Sequence, residues 1–286
     1  MKTRLLLLLA MLPAMMCFSA PKEKTAKLRW GTFNIRLQTP VDDKEGFGWD
    51  VRRDRVANYI REKHLDVVGM QEVLHGQLED LLARLPEYDY VGVGRTDGKT
   101  KGEYSPVFFL REKFEVLEKG NFWLSETPEV PGSVGWDAAL ERIASYAKLK
   151  DKRTGKVFMA VNTHFDHVGV KARRESAKLI MRKIQEIVGD RPAVVTGDFN
   201  VTEDDEAYKT MVTDQFRMFD TYHAKAKHTG VHYTWHSYCR IPAAKAEKID
   251  FIFITPTIKV KRTHVEAPNP DAMLSDHNPH WADLRF

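Results

Sequence analysis

The stretch Ala193-Val194-Val195-Thr196-Gly197-Asp198-Phe199-Asn200 passes from successive apolar residues into a polar turn. Apolar side chains on neighbouring residues indicate a strand that is buried on both faces. The same change to polar residues follows residues 65–70 and residues 157–163. Because helical patterns separate these strands, the sequence predicts a layered α/β fold in which strand ends carry the site.

Helical periodicity between the strands supports this prediction. Residues 78–85 place leucines at i, i+3, i+4 and i+7, and residues 171–188 carry one apolar face. Asp50 is a candidate N-cap for a helix that follows it. Further strands are predicted at the following positions: 28–35, 88–93, 106–110, 248–255 and 281–286.

The N-terminus has the composition of an export signal. A short basic start, an apolar stretch and small residues near position 20 predict a signal peptide over residues 1–20. We therefore expect a periplasmic or secreted protein. Cys17 raises lipoprotein anchoring as an alternative, although Met16 stands where a small residue is expected. The apolar stretch is short for a spanning helix, so we expect no stable membrane insertion.

The composition of the remaining chain limits its possible partners, disulfides and number of domains. Without residues 1–20 it has 42 Lys and Arg against 40 Asp and Glu, a formal charge of +2. This is a weak argument for nucleic acid, which usually binds a concentrated basic face, but a total does not exclude such a face. Cys239 is the remaining cysteine, so no internal disulfide forms. Without an evident linker or repeat, we expect residues 21–286 to be one domain and the protein to be a monomer.

Oxygen-bearing side chains at strand ends suggest a metal site. Glu72 directly follows a buried strand, and Asn34 lies near the end of another. A set rich in oxygen and poor in cysteine suits a hard cation such as Mg²⁺. The competing interpretation of Glu72 is an ordinary surface carboxylate at a strand end.

Two further strand ends carry candidates for phosphate chemistry. Asp198 can act as a base or position water, and Asn200 can donate to a phosphate oxygen, although both residue types also form ordinary turns. His164 and Asp166 are two residues apart, so an extended strand would project both to one side. A histidine there can contact a phosphoryl oxygen, and its alternative is a satisfied core histidine.

The turn Ser275-Asp276-His277 pairs a carboxylate with an imidazole. Asp276 can bind a metal, or it can orient the ring of a neighbouring histidine. Asp250 is the alternative partner for His277, and both assignments remain open at this stage.

Substrate contacts are expected from two other places. Three histidines recur every four residues up to His236, but Gly230 argues against a zinc site on a helix there. The better interpretation is a substrate-facing loop that reaches Trp235 and His236. Arg142 and Arg173 lie beside apolar positions that we assign to helices, and each is a candidate phosphate contact.

Taken in order, these motifs resemble the endonuclease/exonuclease/phosphatase superfamily, the DNase I-like metal-dependent phosphoesterases. Residues 122–128, residues 142–147 and the run His164-Phe165-Asp166-His167 resemble a bacterial branch of metal-dependent hydrolases. The matching motifs keep the family order along nearly the whole mature chain: Thr32-Phe33-Asn34, Gln71-Glu72, Asn162-Thr163-His164, Gly197-Asp198-Phe199-Asn200, Ile249-Asp250-Phe251 and Ser275-Asp276-His277.

The resemblance implies a four-layer α/β sandwich, with two mixed β-sheets packed face to face and helices outside. It implies Mg²⁺, or Mn²⁺, bound chiefly by Glu72 with help from Asn34 and Asp276. It also implies in-line attack of water on phosphorus.

The same resemblance assigns the remaining roles. Asp198 would align or deprotonate the water, and Asp250 would orient His277. The phosphoryl oxygens would be held by Asn200, His164 and His277. Independently of the resemblance, the candidate substrate-binding residues are Arg142, Asp166, Arg173 and His236.

The expected function is a Mg²⁺-dependent phosphoesterase acting on a phosphorylated small molecule or a phosphodiester. A secreted nuclease is the first alternative, and a sphingomyelinase-like phosphodiesterase is the second. The latter requires exposed aromatic residues near the mouth of the site, for which the candidates are Phe47, Trp49, Trp123 and Trp136. A non-catalytic binding protein is disfavoured because each expected functional position is retained. Specificity is assigned to loops 38–50, 95–104, 126–137 and 222–245.

Overall fold

The computed structural model describes residues 24–213 and 218–286. The predicted signal peptide and Cys17 therefore lie outside the described residues. Within the described part, no helix is both long and apolar enough to cross a membrane.

A seven-stranded sheet contains the described N-terminal and C-terminal strands side by side. β1 (Lys27–Asn34) runs parallel to β2 (Val67–Gln71) and antiparallel to β13 (His280–Arg285). The sheet is completed, within the described residues, by β3 (Tyr88–Val91), β4 (Val107–Leu110), β10 (Lys227–Gly230) and β12 (Lys259–Val265). The strand order is β10-β12-β13-β1-β2-β4-β3.

A second, six-stranded sheet contains the strand of the opening motif. In it β8 (Ala193–Asp198) is parallel to β7 (Val157–His164) and antiparallel to β11 (Asp250–Ile254). The other described strands are β5 (Phe114–Trp123), β6 (Ile143–Asp151) and β9 (Phe219–Asp220). The order β5-β6-β7-β8-β11-β9 makes this sheet mixed as well.

Helices cover the outer face of each sheet. α2 (Trp49–Glu62) and α3 (His75–Arg84) share an apolar cluster with the first sheet, and α1 (Pro40–Lys44) precedes them. α4 (Val170–Val188) and α5 (Glu206–Thr213) share another cluster with the second sheet. The predicted four-layer α/β sandwich is therefore confirmed.

The two sheets meet in a layer with an apolar part and a polar part. The apolar part contains Trp30 and Phe158, whose rings meet edge to face with centroids 5.6 Å apart. In the polar part, Asn162 Oδ1 accepts from Gln71 Nε2 at 2.6 Å and from Thr196 Oγ1 at 3.0 Å. Gly69 allows this approach, because a Cβ there would lie 2.2 Å from Thr196 Oγ1. The polar part lies next to the strand ends where the site residues begin.

Two local predictions were wrong, and some strands were not predicted. Asp50 does not cap α2, which starts at Trp49 after Gly48 and has no side-chain cap. Arg142 does not lie beside a helix, because β6 begins at Ile143. β5 was not predicted because most of its side chains face solvent, so it lacks the apolar run by which the buried strands were found.

Candidate active site

The predicted residues meet at the ends of strands from both sheets. Asn34 ends β1 and Glu72 follows β2 in the first sheet, whereas His164 and Asp198 end β7 and β8 in the second. Glu72, His164 and Asp198 border a cavity of about 530 Å³, and Asn34 is buried beneath it. Its lining comprises Arg36, Leu37, Glu72, Arg95, Glu103, Leu140, Arg142, His164, His167, Asp198, Asn200, Trp235, Ser237, Glu247, Ile249, Asp276 and His277.

Asn34 joins the two sheets at the floor of the site. Its amide Nδ2 donates to Glu72 Oε1 and to Asp198 Oδ2, both at 2.9 Å. Glu72 Oε2 accepts from the Leu37 backbone N–H at 3.1 Å. Glu72 has a φ of 60°, a conformation that is uncommon for a non-glycine residue and is often found at functional sites. These bonds hold the Glu72 carboxylate at the cavity.

Asp276 completes an oxygen-rich cluster. The Ser275 hydroxyl lies 2.7 Å from the Asn34 carbonyl oxygen and 3.2 Å from Asp276 Oδ1, which ties this turn to the end of β1. Burial, reinforced by the negative charge of Glu72, raises the pKa of Asp276. The guanidinium of Arg36 is 4.0 Å from Glu72.

This donor set fits a hard divalent cation. Glu72 and Asp276 offer crowded carboxylate oxygens. Asn34 offers an amide oxygen that here accepts from the Arg36 N–H at 2.9 Å, while its Nδ2 faces Glu72, so binding a metal through this oxygen requires the amide to turn. Oxygen ligands are those that Mg²⁺ and Mn²⁺ take up in proteins. A second combination, Glu72, His164 and Asp198, has ligand atoms that lie within 4.8 Å of one another.

The partner of His277 is Asp250. His277 Nδ1 is 2.8 Å from Asp250 Oδ2, which decides between the two alternatives that the sequence left open. Burial by itself lowers the pKa of His277, but the Asp250 carboxylate outweighs it and raises the pKa to about 10. The ring is therefore an imidazolium at neutral pH, and its Nε2–H faces Asp198 Oδ2 at 3.7 Å.

Asp198 has the environment of a base. It is buried, and its Oδ1 accepts from the Asn200 backbone N–H at 3.0 Å. Burial and the neighbouring Asp250 carboxylate raise the pKa of Asp198. A raised pKa makes a carboxylate a better proton acceptor.

His164 and Asn200 form a hydrogen-bonded pair. Asn200 Nδ2 is 3.0 Å from His164 Nε2 and donates to the Phe165 carbonyl oxygen at the same distance. Burial, followed by the positive charge of Arg142, lowers the pKa of His164 to about 3, so the ring is neutral. Both amide hydrogens of Asn200 are thus engaged, and donation to a phosphoryl oxygen requires one of them to exchange partners.

Two arginines at the cavity were missed from the sequence. Arg36 follows Asn34 by two residues and pairs with Asp42 at 2.9 Å, and Arg95 pairs with Glu103 at 2.7 Å. The position of Arg36, two residues beyond a strand-end asparagine, was a usable signal. Arg95 lies in a loop that carries no periodic pattern.

Three predicted substrate-binding residues do not border the cavity. Asp166 lies beyond the end of β7, and its carboxylate accepts backbone N–H groups of Ala139, Leu140, Val168 and Gly169. Arg173 donates to the Asp166 carbonyl oxygen at 3.1 Å. His236 is buried, and its Nδ1 accepts from the Cys239 N–H. Their geometry supports local structural roles instead, while Arg142 does border the cavity.

Two of the four aromatic residues proposed for a lipid-facing mouth are buried, whereas Phe47 and Trp136 are half-buried. Trp49 and Trp123 are buried, and Phe47 stacks on Tyr238 with ring centroids 4.2 Å apart. Trp235, from the predicted substrate-facing loop, lines the cavity instead.

Carboxylates, amides and imidazoles cluster at one edge of the two facing sheets. This arrangement fits the class of hydrolases that act on phosphate esters, to which the family matched by this chain belongs. Residues 31–277 match the Endonuclease/Exonuclease/phosphatase family. The chain belongs to that family, whose enzymes are metal-dependent.

Solved structures from Bacteroides share the DNase I-like fold and confirm the predicted bacterial branch. An endonuclease/exonuclease/phosphatase from Bacteroides vulgatus is 58% identical with a TM-score of 0.88, covering 91% of this chain and 98% of that one. A mannosyl-6-phosphatase from Bacteroides thetaiotaomicron is 38% identical with a TM-score of 0.84, covering 91% of this chain and 100% of that one.

A nuclease is also among the relatives. The CCR4-Not complex 3'-5'-exoribonuclease subunit Ccr4 of Coccidioides immitis is 31% identical over 133 residues, which cover 41% of this chain. The match spans 18% of that relative's length.

Proposed function

We propose that this protein is a secreted, Mg²⁺-dependent phosphatase that removes the phosphate group from a small phosphorylated sugar. The main support is the cavity of about 530 Å³, which is lined by Glu72 and Asp276 and also by Asp198 and His277. A pocket of this size suits a small organic molecule. The proposal that the protein is secreted rests only on the signal peptide predicted at residues 1–20.

The more specific part of the proposal is that the substrate is a sugar phosphate. Trp235, Ser237 and Glu247 line the same cavity, and an indole, a hydroxyl and a carboxylate are groups that can contact a polyhydroxylated ring. The similarity to a mannosyl-6-phosphatase supports the same substrate class.

Glu72, Asn34 and Asp276 would hold the metal ion. When bound, Mg²⁺ supplies positive charge that offsets the negative charge on the phosphoryl oxygens. Mn²⁺ accepts the same ligands and is the alternative.

Asp198 would orient the attacking water and accept its proton, because its buried carboxylate has a raised pKa. The new O–P bond forms as the ester P–O bond breaks on the opposite side, where the leaving oxygen takes a proton from solvent. His277 Nε2–H lies 3.7 Å from Asp198 Oδ2, hence on the attacking side. It would therefore donate to a non-bridging phosphoryl oxygen, with Asn200 as a second donor.

The test is hydrolysis of mannose 6-phosphate by the wild-type protein after EDTA treatment and after Mg²⁺ or Mn²⁺ is restored. We expect phosphate release that needs the metal and is lost in Asp198→Asn. The matched control is Asp190→Asn, an exposed aspartate just before β8. Absence of release from mannose 6-phosphate and from p-nitrophenyl phosphate would contradict the proposal.

The nuclease relative supports a second candidate, tested in the same series with a short oligoribonucleotide. Exonuclease activity should fall steeply as salt rises, because phosphate-backbone contacts release counterions. Metal-dependent cleavage of the oligonucleotide without monoester hydrolysis would replace the phosphatase by a nuclease.

A further inference from the structure

Arg142 is a buried cation at the wall of the active-site cavity. It directly precedes β6, it is 4% exposed, and it shares the cavity lining with His164, Asp198 and Asn200. A buried guanidinium normally has its N–H groups satisfied by protein acceptors. The hydrogen bonds of Arg142 therefore show which of its N–H groups still need an acceptor.

Two of its nitrogen atoms have partners that hold the group in place. Nε lies 3.3 Å from Asp166 Oδ2, and Nη2 lies 3.0 Å from His167 Nδ1. The Asp166 carboxylate also accepts four backbone N–H groups, from Ala139, Leu140, Val168 and Gly169. Asp166 is thus a buried counterion that Arg142 shares with four backbone N–H groups.

The third nitrogen has no partner. Nη1 is buried, and among the described residues no atom accepts a hydrogen bond from it. The other arginine nearby is in a different situation, because both Nη atoms of Arg95 contact the Glu103 carboxylate. Arg142 is therefore a cavity arginine whose two terminal nitrogens have no carboxylate partner among the described residues, and its unsatisfied Nη1 donor suits an anionic oxygen from a bound molecule.

We propose that Arg142 Nη1 binds a terminal oxygen of a phosphate monoester dianion and thereby makes the enzyme prefer monoesters to diesters. This inference rests on the proposed phosphatase function. A monoester has three terminal oxygens and two negative charges. A diester has one charge, and its second ester group would place an uncharged, alkylated oxygen where Arg142 offers a donor.

The neighbouring wall favours the smaller group. The Arg95–Glu103 pair lines the cavity together with Arg142. A second alkyl or aryl substituent on this side would separate Arg142 from its ligand and bring an apolar group against buried charges, which is unfavourable.

The experiment compares kcat/KM for p-nitrophenyl phosphate and bis-p-nitrophenyl phosphate in wild type, Arg142→Gln and Arg142→Lys, all with saturating Mg²⁺. We expect Arg142→Gln to lower the monoester-to-diester ratio by about 10²-fold, the effect typical of losing one phosphate donor. Arg142→Lys keeps the charge but loses the forked pair of donors. Its monoester-to-diester ratio should therefore lie between those of wild type and Arg142→Gln. Arg174→Gln, which removes a surface arginine of α4 paired with Glu206, is the control for a lost charge.

A second measurement separates binding from folding. Inorganic phosphate should inhibit Arg142→Gln and Arg142→Lys more weakly than wild type, with melting temperatures recorded for each variant. Equal losses on both esters with unchanged phosphate inhibition would overturn the selective role of Arg142. Wild-type protein that cleaves neither monoester nor mannose 6-phosphate would instead refute the phosphatase, and phosphate binding by calorimetry would still test Arg142.

Discussion

The two sheets contribute unequally to the cavity. The first sheet brings Glu72 and Asp276 together, and the guanidinium of Arg36 lies 4.0 Å from Glu72. The second sheet carries Asp250, which has the imidazolium of His277 at 2.8 Å. The first group, two crowded carboxylates with a guanidinium 4.0 Å from Glu72, has the features of a metal-binding half. The second group is the proton-transfer half, in which His277, from the turn before β13, pairs with Asp250 and faces Asp198 at 3.7 Å. Variants in the two halves should fail in different ways.

The largest effect is expected in the proton-transfer half. His277→Ala removes the charged donor opposite Asp198 and should lower kcat by about 10²–10³-fold, as for other lost transition-state donors. The concentration of Mg²⁺ that gives half-maximal activity should stay near the wild-type value. His228→Ala, at an exposed histidine outside the cavity, is the control. Near-normal turnover in His277→Ala would remove His277 from the mechanism.

The next prediction concerns the contact between the two sheets behind the site. Ala at position 69 would place its Cβ 2.2 Å from Thr196 Oγ1 and 2.3 Å from Asn162 Oδ1. Because those atoms belong to the buried polar layer, we expect Gly69→Ala to cost about 3 kcal/mol of the free energy of unfolding. Denaturant unfolding measures this loss. Gly76→Ala has open space around its Cβ and should not destabilise, so equal stability of the two variants would contradict the close contact.

A smaller effect is expected in the metal-binding half. Glu72→Gln keeps the shape but removes one charge, so the Mg²⁺ concentration for half-maximal activity should rise by about 10-fold or more. Activity should partly return at high Mg²⁺, unlike in His277→Ala. The control is Glu79→Gln on the exposed face of α3. An unchanged requirement for Mg²⁺ would place the metal on other ligands.

The last prediction concerns a carboxylate outside both halves. Backbone N–H groups of Gly169, Ala139 and Val168, together with Arg142, outweigh burial and hold the pKa of Asp166 far below its ordinary value. A depressed pKa gives stability that is present above the unfolded-state pKa, near 3.8, and is lost as pH falls toward the folded-state pKa.

Asp166→Asn should therefore lower the free energy of unfolding by about 2 kcal/mol at pH 7. The difference from wild type should shrink below pH 4, as measured by urea unfolding across pH. Asp137→Asn offers a comparison, since Asp137 also accepts backbone N–H groups, of Lys171 and Ala172, but is not buried. A difference that is constant with pH would show that shape, and not charge, explains the loss.

The sequence predicted the strand ends well because burial leaves a local pattern. Apolar runs before Glu72 and Asp198 mark strands covered on both faces, and they are confirmed as β2 and β8. β5 was missed because its exposed residues carry no such run. Asp166 was expected in the cavity by strand alternation, but β7 ends at His164 and the chain turns.

What the sequence determined by itself was the layered α/β fold, the order of the polar strand ends and the chemistry that those side chains offer. The tertiary structure decided which groups touch: that Asp250 and not Asp276 pairs with His277, and that both Nη atoms of Arg95 meet Glu103, whereas Arg142 Nη1 has no acceptor among the described residues. The physical reason is that hydrophobic periodicity is local, whereas ion pairs and hydrogen bonds depend on distances of a few ångströms between segments brought together by the packing of two sheets.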